Sequence, residues 1–443
     1  MKKGLLTLFL ALLTVASWAY DAQVDGIYYN LNKTDNTAEV TSSFNLYSGD
    51  VVIPELITVE GVSYSVTSIG KSAFYGCKEL VSIEIPNTVT SIGDEAFFGC
   101  IIISSVVIPN SVIKIGASAF GSCMNLSSLT MSANIKEIGN SAFFFCSNLT
   151  SLELPNTLKM IGFSAFEYCS ALVSMVIPNS VTSMGESVFA YCSSLVSLSL
   201  PNNLTKIGEN FAYGCSSLGD FSLPETVKSI GNDAFHGCSS LTSMVLPPSL
   251  TNIPNGLFDG CTNLVSVTIP LHVTNVGIHA FYGCKKLTSV ELPCTVTTIG
   301  DCAFGKCTGL TTFKCYATEV PSTNHSAFWN ANVADATLYI PVKTYDDYRQ
   351  QTPWKEFGTK KAMTDEETNV DLVTMKEMVS CSDGIVTVSG VQEGVEIAVF
   401  SIDGMRIASE VARNKTVVLK LPYLRDDIAI IKVGNTIRKL IIR

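Results

Sequence analysis

Residues 77–100 read CKELVSIEIPNTVTSIGDEAFFGC, and this pattern returns every 23 positions along much of the chain. Counted from the first cysteine, apolar residues stand at +3, +6, +12 and +15, proline at +9, glycine at +16 and phenylalanine at +20. The cysteine that opens each repeat recurs at a constant step of 23 residues without an insertion. The members of this cysteine ladder are Cys77, Cys100, Cys123, Cys146, Cys169, Cys192, Cys215, Cys238, Cys261, Cys284 and Cys307.

This repeat predicts the fold. A unit of 20–29 residues with alternating apolar positions is typical of a leucine-rich solenoid, in which each repeat forms one turn of chain. Positions +6 and +8 point to one side of a strand and +5 and +7 to the other, so stacked turns predict a parallel sheet with one buried face. Proline ends each strand, glycine allows a bend that a Cβ atom obstructs, and the alanine-phenylalanine pair predicts a helical turn. We therefore expect an α/β leucine-rich repeat solenoid with 23-residue repeats.

The pattern also divides the chain into segments. Residues 1–19 join Lys2 and Lys3 to a short apolar stretch and a small-residue cleavage site, which is typical of a signal peptide, and a buried helix is the alternative. We expect an N-terminal cap over 20–63, the solenoid over 64–315, a capping repeat and helix over 316–358 and a linker over 359–380. From 381 to 443 the apolar period changes to two, which predicts an antiparallel β-sandwich module with a turn at Asp403-Gly404.

Charge and hydropathy narrow the possible partners. Charged residues make up 15% of the chain, and the formal net charge is -10. Because typical soluble proteins carry about 25% charged residues, other polar groups must cover the surface. Serine fills position +5 in nine of eleven repeats, with Asp220 and Thr312 in the other two. The acidic balance argues against a nucleic-acid partner, and no segment is long and apolar enough to span a bilayer.

The repeated cysteines do not predict a metal site. Zinc ligands cluster within a loop, whereas the ladder cysteines recur once per turn, so we expect buried thiols that pack as small apolar side chains. A disulfide within the one local cluster is an alternative that the sequence leaves open. This cluster comprises Cys294, Cys302, Cys307 and Cys315.

Catalysis finds little support in the sequence. The four histidines fall at different repeat positions, and no hydrolase, metalloprotease or phosphate-binding motif accompanies them. They are His236, His272, His279 and His325. We expect structural or surface histidines, no cofactor and no enzymatic activity.

The repeat also resembles a known family. Residues 77–86 and 89–100 are similar to the units of BspA-like leucine-rich repeat proteins of bacterial surfaces, and the similarity covers about residues 45 to 345. The opening Asp25-Gly26-Ile27-Tyr28-Tyr29 resembles the start of such proteins. The resemblance implies an exported or surface protein that binds components of a host or of neighbouring cells.

A second resemblance concerns the C-terminal segment. Val399-Phe400-Ser401-Ile402-Asp403-Gly404, with 428–433 and 438–442, is similar to the C-terminal sorting domain of type IX secretion. This resemblance implies a role of residues 381–443 in export or surface attachment.

Two surfaces are candidate ligand sites. Carboxylates at position +7 face outward on separate turns, at Glu84, Glu153 and Glu291. Aromatic residues precede the ladder cysteines on consecutive turns, at Phe144, Phe145, Tyr168, Tyr191 and Tyr213. Aromatic side chains offer a large contact area, so this row favours docking of a glycan or an extended peptide, and covering of the next turn is the alternative.

The function that follows is binding. We expect a secreted or cell-surface protein that adheres to host matrix proteins, glycans or other cells. A passive surface scaffold without a dedicated ligand is the alternative.

Overall fold

A computed structural model describes residues 20–43, 46–364, 378–382, 385–389, 394–401, 406–413, 416–420, 427–433 and 436–442. These residues form two compact units. The first comprises the residues up to Ser249, Pro254–Leu264 and His279–Lys285; the second comprises Leu250–Ile253, Val265–Ile278 and the residues from Lys286 onward. The expected signal peptide at 1–19 and the expected turn at Asp403-Gly404 lie outside the described residues.

The first unit begins with six strands. They are β1 Ala22–Val24, β2 Ile27–Asn32, β3 Thr37–Thr41, β4 Ser48–Val52, β5 Leu56–Val59 and β6 Val62–Ile69. Strands β1, β2 and β3 form an antiparallel meander, and β3 then pairs in parallel with β6. This meander therefore covers the first turn of the repeat array and continues its sheet.

Short strands follow in each repeat of the first unit. They are β7 Glu79–Glu84, β8 Ser91–Ile92, β9 Ser105–Val107, β10 Lys114–Ile115, β11 Ser128–Thr130, β12 Glu137–Ile138, β13 Met160–Ile161, β14 Ser174–Val176, β15 Ser183–Met184, β16 Ser197–Ser199, β17 Lys206–Ile207, β18 Ser229–Ile230 and β19 Ser243–Val245. Equivalent strands pair in parallel one repeat apart, as Ser128 does with Ser105 and Ile138 with Ile115. The predicted parallel-sheet solenoid is thus confirmed.

The alanine-phenylalanine pair does not form the expected helical turn. In the first repeat, Tyr75 N–H donates to the Ser72 carbonyl and Cys77 N–H to the Phe74 carbonyl, which makes successive tight turns. Ser72 and Gly76 adopt φ values of 54° and 69° on either side of this segment. Because a left-handed residue cannot continue a right-handed helix, the turns stay separate, and the solenoid contains almost no helix.

The glycine at +16 is required for a different reason from the one that the sequence suggests. A Cβ atom on Gly139 would lie 2.5 Å from the carbonyl carbon of Gly116, the equivalent residue one turn earlier. Neither glycine has a left-handed φ. Glycine is therefore needed for close approach of stacked backbones and not for an unusual backbone angle.

Phenylalanine rings fill the interior of the first unit. Phe74, Phe97 and Phe120 stack with centroids 5.0 and 5.1 Å apart and nearly parallel planes. The order reverses at Phe211-Ala212, where the ring lies 88° from the plane of Phe189. The stack continues turn by turn up to Phe189, so one aromatic column organises this part of the core.

The ladder cysteines lie beside this column. The Cys123 thiol donates a hydrogen bond to the Phe97 carbonyl of the preceding turn at 3.1 Å. The equivalent thiols from Cys100 to Cys284 make the same type of bond. Burial raises the pKa of Cys123 and Cys215 to about 12, so these side chains stay protonated and can keep donating.

The second unit continues the repeats and adds a short helix. Its strands are β20 Asn252–Ile253, β21 Ser266–Thr268, β22 Asn275–Val276, β23 Ser289–Leu292, β24 Thr298–Ile299, β25 Thr312–Cys315, β26 Thr337–Pro341 and β27 Thr359–Met363. Helix α1 spans Tyr345–Gln350, between 3-10 helices at Val342–Thr344 and Trp354–Glu356. Trp354 is buried against Phe313 and Phe328. Cys302 and Cys315 of the local cluster are free cysteines.

Strand β27 differs from the expected linker over 359–380. It pairs in parallel with β26 along its whole length, from Thr359 opposite Thr337 to Met363 opposite Pro341. Met363 is buried, and the backbone of β27 lies at the edge of the sheet. Residues 365–377 lie outside the described residues.

The C-terminal strands are antiparallel, as the period-two pattern predicts. They are β28 Met378–Ser382, β29 Ile385–Ser389, β30 Glu396–Ser401, β31 Arg406–Val411, β32 Thr416–Lys420, β33 Asp427–Val433 and β34 Thr436–Ile442. Strands β28, β29 and β32 form one sheet, and β31, β30, β33 and β34 form another.

Asp220 connects two turns at a place where positions +5 to +7 of the repeat do not form a strand. It occupies the +5 position, and its carboxylate accepts hydrogen bonds from the backbone N–H groups and the hydroxyls of Thr242 and Ser243 at 2.7 to 3.0 Å. Partial burial disfavours the charged form, yet the hydrogen bonds prevail and lower the pKa of Asp220. The charged carboxylate thus takes over a contact between turns that paired strands make elsewhere.

The Gly139→Ala substitution tests the close approach of the turns. We expect a loss of about 1–3 kcal/mol in the free energy of unfolding, because the added methyl group has no space against the Gly116 backbone. Gly219→Ala is the matched control, since its Cβ would meet only the Val196 carbonyl oxygen at 3.6 Å. Urea unfolding followed by circular dichroism measures both variants, and equal losses would contradict the close-approach explanation.

Acid unfolding tests the Asp220 bridge. Its folded pKa is lowered, so its contribution to stability is present above the unfolded carboxyl pKa and disappears as the pH falls through the folded value. We expect the free energy of unfolding of Asp220→Asn to fall less than that of the unsubstituted protein between pH 5 and pH 2. The difference is about 1 kcal/mol or less, because solvent reaches much of the Asp220 side chain. Urea titrations at stepped pH measure this, with Glu225→Gln as an exposed control in the same repeat. An unchanged pH dependence in Asp220→Asn would refute the bridge.

Candidate functional site

The aromatic residues predicted from the sequence form a continuous row on the first unit. Phe144, Phe145, Tyr168, Tyr191 and Tyr213, here called the aromatic strip, stand one or two positions before the ladder cysteines of four consecutive turns. Ring centroids of neighbouring turns lie 5.6 Å apart for Phe145 and Tyr168, 4.5 Å for Tyr168 and Tyr191, and 5.2 Å for Tyr191 and Tyr213. The fold therefore brings all five predicted aromatic residues together.

Three residues of the strip have an unfavourable backbone conformation. Phe145, Tyr168 and Tyr191 adopt φ values of 59°, 61° and 61°. Glycine occupies the equivalent position in six other turns, at Gly76, Gly99, Gly214, Gly237, Gly260 and Gly283. A bulky residue with positive φ is uncommon and costs about 1–2 kcal/mol, so these turns carry a strain that glycine avoids.

Part of the aromatic surface of the strip is covered by neighbouring rings. The planes of Tyr168 and Tyr191 are within 6° of parallel, so the two rings cover each other. Tyr191 also lies over the next turn, because a Cβ atom on Gly214 would come within 3.0 Å of its ring. Partial burial and the neighbouring Tyr191 raise the pKa values of the Tyr168 and Tyr213 phenols, which stay protonated at neutral pH.

The strip continues into a cluster that the sequence did not predict. His236 stacks on Tyr213 with centroids 4.3 Å apart and planes within 2°. Its Nδ1 atom lies 3.7 Å from Asp233 Oδ1 and 3.8 Å from Asp259 Oδ2, and His279 Nδ1 lies 3.6 Å from the same Asp259 oxygen. We call His236, Asp259 and His279 the histidine–aspartate cluster.

The cluster was missed because its histidines occupy different repeat positions. His236 stands two residues before Cys238, whereas His279 stands five residues before Cys284. Asp259 follows His236 by 23 residues, so it occupies the same position on the next turn. That one-repeat spacing is the signal in the sequence that could have placed the first two side chains in contact.

The predicted carboxylates at +7 do not form a joint site. Glu84 and Glu153 stand 69 residues, or three repeats, apart on the exposed sheet face of the first unit. In the second unit, Glu291 pairs with Lys314 at 2.7 Å. No group of three or more His, Cys, Asp or Glu side chains within the described residues, the histidine–aspartate cluster included, is arranged to hold a metal ion.

The fold and this surface define a parallel β-solenoid with an ordered aromatic row. The sequence matches the BspA type leucine-rich repeat region in six copies, over residues 61–173, 136–261 and 228–349. These matches together cover more than half of the chain. The chain therefore belongs to the BspA type leucine-rich repeat family.

Several solved structures are similar to this chain. A leucine-rich repeat protein from Bacteroides ovatus is 27% identical with a TM-score of 0.54, and the match covers 78% of this chain and 100% of the other. A leucine-rich cell surface protein from Faecalibacterium prausnitzii is 24% identical with a TM-score of 0.44, covering 77% and 98%. The pneumococcal vaccine antigen PcpA is 18% identical with a TM-score of 0.47, covering 78% and 97%. No curated protein matches the sequence.

The structure also bears on membrane association. Across the described part of the chain, no helix has the length and apolar character needed to cross a bilayer.

Backbone strain in the aromatic strip is tested by comparing two substitutions at one position. We expect Tyr168→Gly to be more stable than Tyr168→Ala by about 1 kcal/mol, because only glycine adopts a positive φ without cost. Thermal and urea unfolding measure the difference. At Ala190, which precedes the strained position, the preference is expected to reverse, so that Ala190→Gly is destabilised relative to alanine. Equal stability of the two Tyr168 variants would remove the argument from strain.

Proposed function

We propose that this protein is a secreted or cell-surface adhesin whose aromatic strip binds an extracellular protein or glycan. The observation that carries the proposal is the placement of Phe145, Tyr168 and Tyr191 at positive φ. Strain of this kind persists where the surrounding structure enforces it, and it is concentrated at binding and active sites. Family membership supports the proposal, because leucine-rich repeat solenoids generally present extended binding surfaces.

A structural role alone explains the strip less well. If each turn needed an aromatic cover, every repeat would supply one at the two positions before its cysteine. The turns with Gly121-Ser122 and Asp259-Gly260 supply none. At Glu167-Tyr168 and Ala190-Tyr191, by contrast, the aromatic residue moves to the strained position, which keeps the row unbroken from Phe144 to Tyr213.

The ring geometry defines what the strip offers to a ligand. Tyr168 stacks on Tyr191 and Tyr213 stacks on His236, so each of these contacts covers one face of the tyrosine rings. A partner therefore meets ring edges and phenol hydroxyls along this part of the strip. Phenol hydroxyls both donate and accept hydrogen bonds, and the edges supply apolar area. Such a surface suits the hydroxyl groups of a glycan or the main chain of an extended peptide.

The predicted terminal segments fit the same proposal. Residues 1–19 direct export as a signal peptide, and the C-terminal strands serve sorting or attachment to the surface. A passive scaffold is the second candidate, favoured by the packing of Tyr191 over Gly214, which is what a purely covering ring would do.

Binding assays decide between these two functions. Residues 20–443 are tested by solid-phase binding against matrix proteins, mucins and glycans, beside a variant with serine at all five strip positions. Serine is tolerated at the strained position, since Ser122 holds it with a φ of 58°. We expect saturable binding that the serine variant loses by at least about tenfold, which corresponds to 1.4 kcal/mol.

A matched control removes exposed apolar side chains elsewhere. Val107, Val176 and Val245 protrude from the sheet face of the first unit and are replaced by threonine. Binding kept by the serine variant and lost by the valine variant would move the site to the sheet face. Absence of any binding by the unsubstituted protein would favour the scaffold.

A further inference from the structure

The histidine–aspartate cluster adjoins the strip through a direct ring contact. His236 stacks on Tyr213 with nearly parallel planes, and its Nδ1 atom is buried without a hydrogen-bond partner. Two carboxylates, Asp233 and Asp259, lie 3.7 and 3.8 Å from that atom, just beyond hydrogen-bond distance. A proton added to Nδ1 would therefore meet two negatively charged acceptors.

The second imidazole shares one of these acceptors. His279 Nδ1 lies 3.6 Å from the Asp259 oxygen that also faces His236, and its ring stacks on Tyr282 at 4.7 Å. The three side chains of the cluster come from three successive turns, so the cluster connects these turns. Asp259 is mostly buried, with 17% of its side chain exposed.

We infer that the histidine–aspartate cluster is a proton-operated device that resets the charge and packing at the Tyr213 end of the aromatic strip. This inference rests on the proposed function, because the cluster regulates the same surface. Histidine is the side chain whose charge ordinarily changes between pH 5 and 8. With both imidazoles neutral, Asp233 and Asp259 leave two negative charges beside Tyr213; with both protonated, these charges are balanced.

The charged and titratable groups around the cluster support a loss of negative charge beside Tyr213 when the imidazoles are protonated. Within the first unit, the imidazoles of the cluster face Asp233, Tyr213 and Tyr282. The charge of Asp259 also acts on the buried Cys261 thiol. Both carboxylates act on Tyr213, since partial burial together with nearby Tyr191, Asp233 and Asp259 raises the pKa of its phenol. Tyr213 is thus close enough to the cluster for its phenol to be affected by the charge there. Its ring also contacts that of Tyr191, the next residue of the strip.

Nuclear magnetic resonance of the ligand-free protein tests the device. The protein, labelled with ¹³C in histidine and tyrosine rings, is titrated from pH 8 to pH 5. We expect the Tyr213 ring signal, assigned with Tyr213→Phe, to shift together with that of His236. In His236→Gln this Tyr213 shift is lost, and in Asp259→Asn the titrations of His236 and His279 both change.

The chain supplies its own controls. His272 and His325 are exposed and stand outside the cluster, so Asp259→Asn leaves their titrations unchanged. A Tyr213 signal that stays constant over this range, or that shifts equally in His236→Gln, would overturn the inference. Because this measurement needs no ligand, its result stands even if no binding partner emerges from the solid-phase assay.

A second measurement connects the device to binding. Any matrix protein, mucin or glycan retained by the unsubstituted protein is measured at pH 7.5 and pH 5.5, beside a His236→Gln, His279→Gln double variant. We expect the affinity to change with pH in the unsubstituted protein and to lose that change in the double variant. A pH dependence that persists in the double variant would show that the cluster does not control the strip.

Discussion

The structure depends on backbone hydrogen bonds between residues that stand one repeat apart. A constant step of 23 residues places each side chain directly on its equivalent in the previous turn, as Ile138 pairs with Ile115. Phenylalanine therefore stacks on phenylalanine, and each cysteine thiol reaches a carbonyl of the turn before it. An insertion of one residue would break these columns at once, which explains why the step is kept through eleven repeats.

The same constraint turns a repeated position into a surface. Because equivalent residues align, an aromatic residue kept over four turns becomes a strip, and a histidine followed 23 residues later by an aspartate becomes a contact. The local features of such a fold are therefore specified by departures from the repeat. Tyr168 and Tyr191 replace glycine, His236 replaces an aromatic ring, and Asp220 replaces serine.

Much of the fold and of the aromatic strip could be predicted from the sequence, because residues that stack on neighbouring turns recur at a fixed spacing. The parallel sheet, the buried apolar positions and the contacts among Phe145, Tyr168 and Tyr191 all follow from residues 23 apart. The role of Gly139 did not, since a sequence does not distinguish an unusual φ from close backbone approach. The lack of a helical turn at the alanine-phenylalanine pair depends on left-handed residues such as Ser72, whose identity gives no indication of that conformation. His279 meets Asp259 from a different repeat position, so only the path of the chain reveals the pair.

The reversal at Phe211-Ala212 has a mechanical consequence for the first unit. At this turn the ring column rotates by 88°, and the following +5 position relies on the Asp220 carboxylate instead of a paired strand. We expect the turns to separate most readily at this junction, because neither a parallel ring pair nor a paired strand at position +5 joins them there.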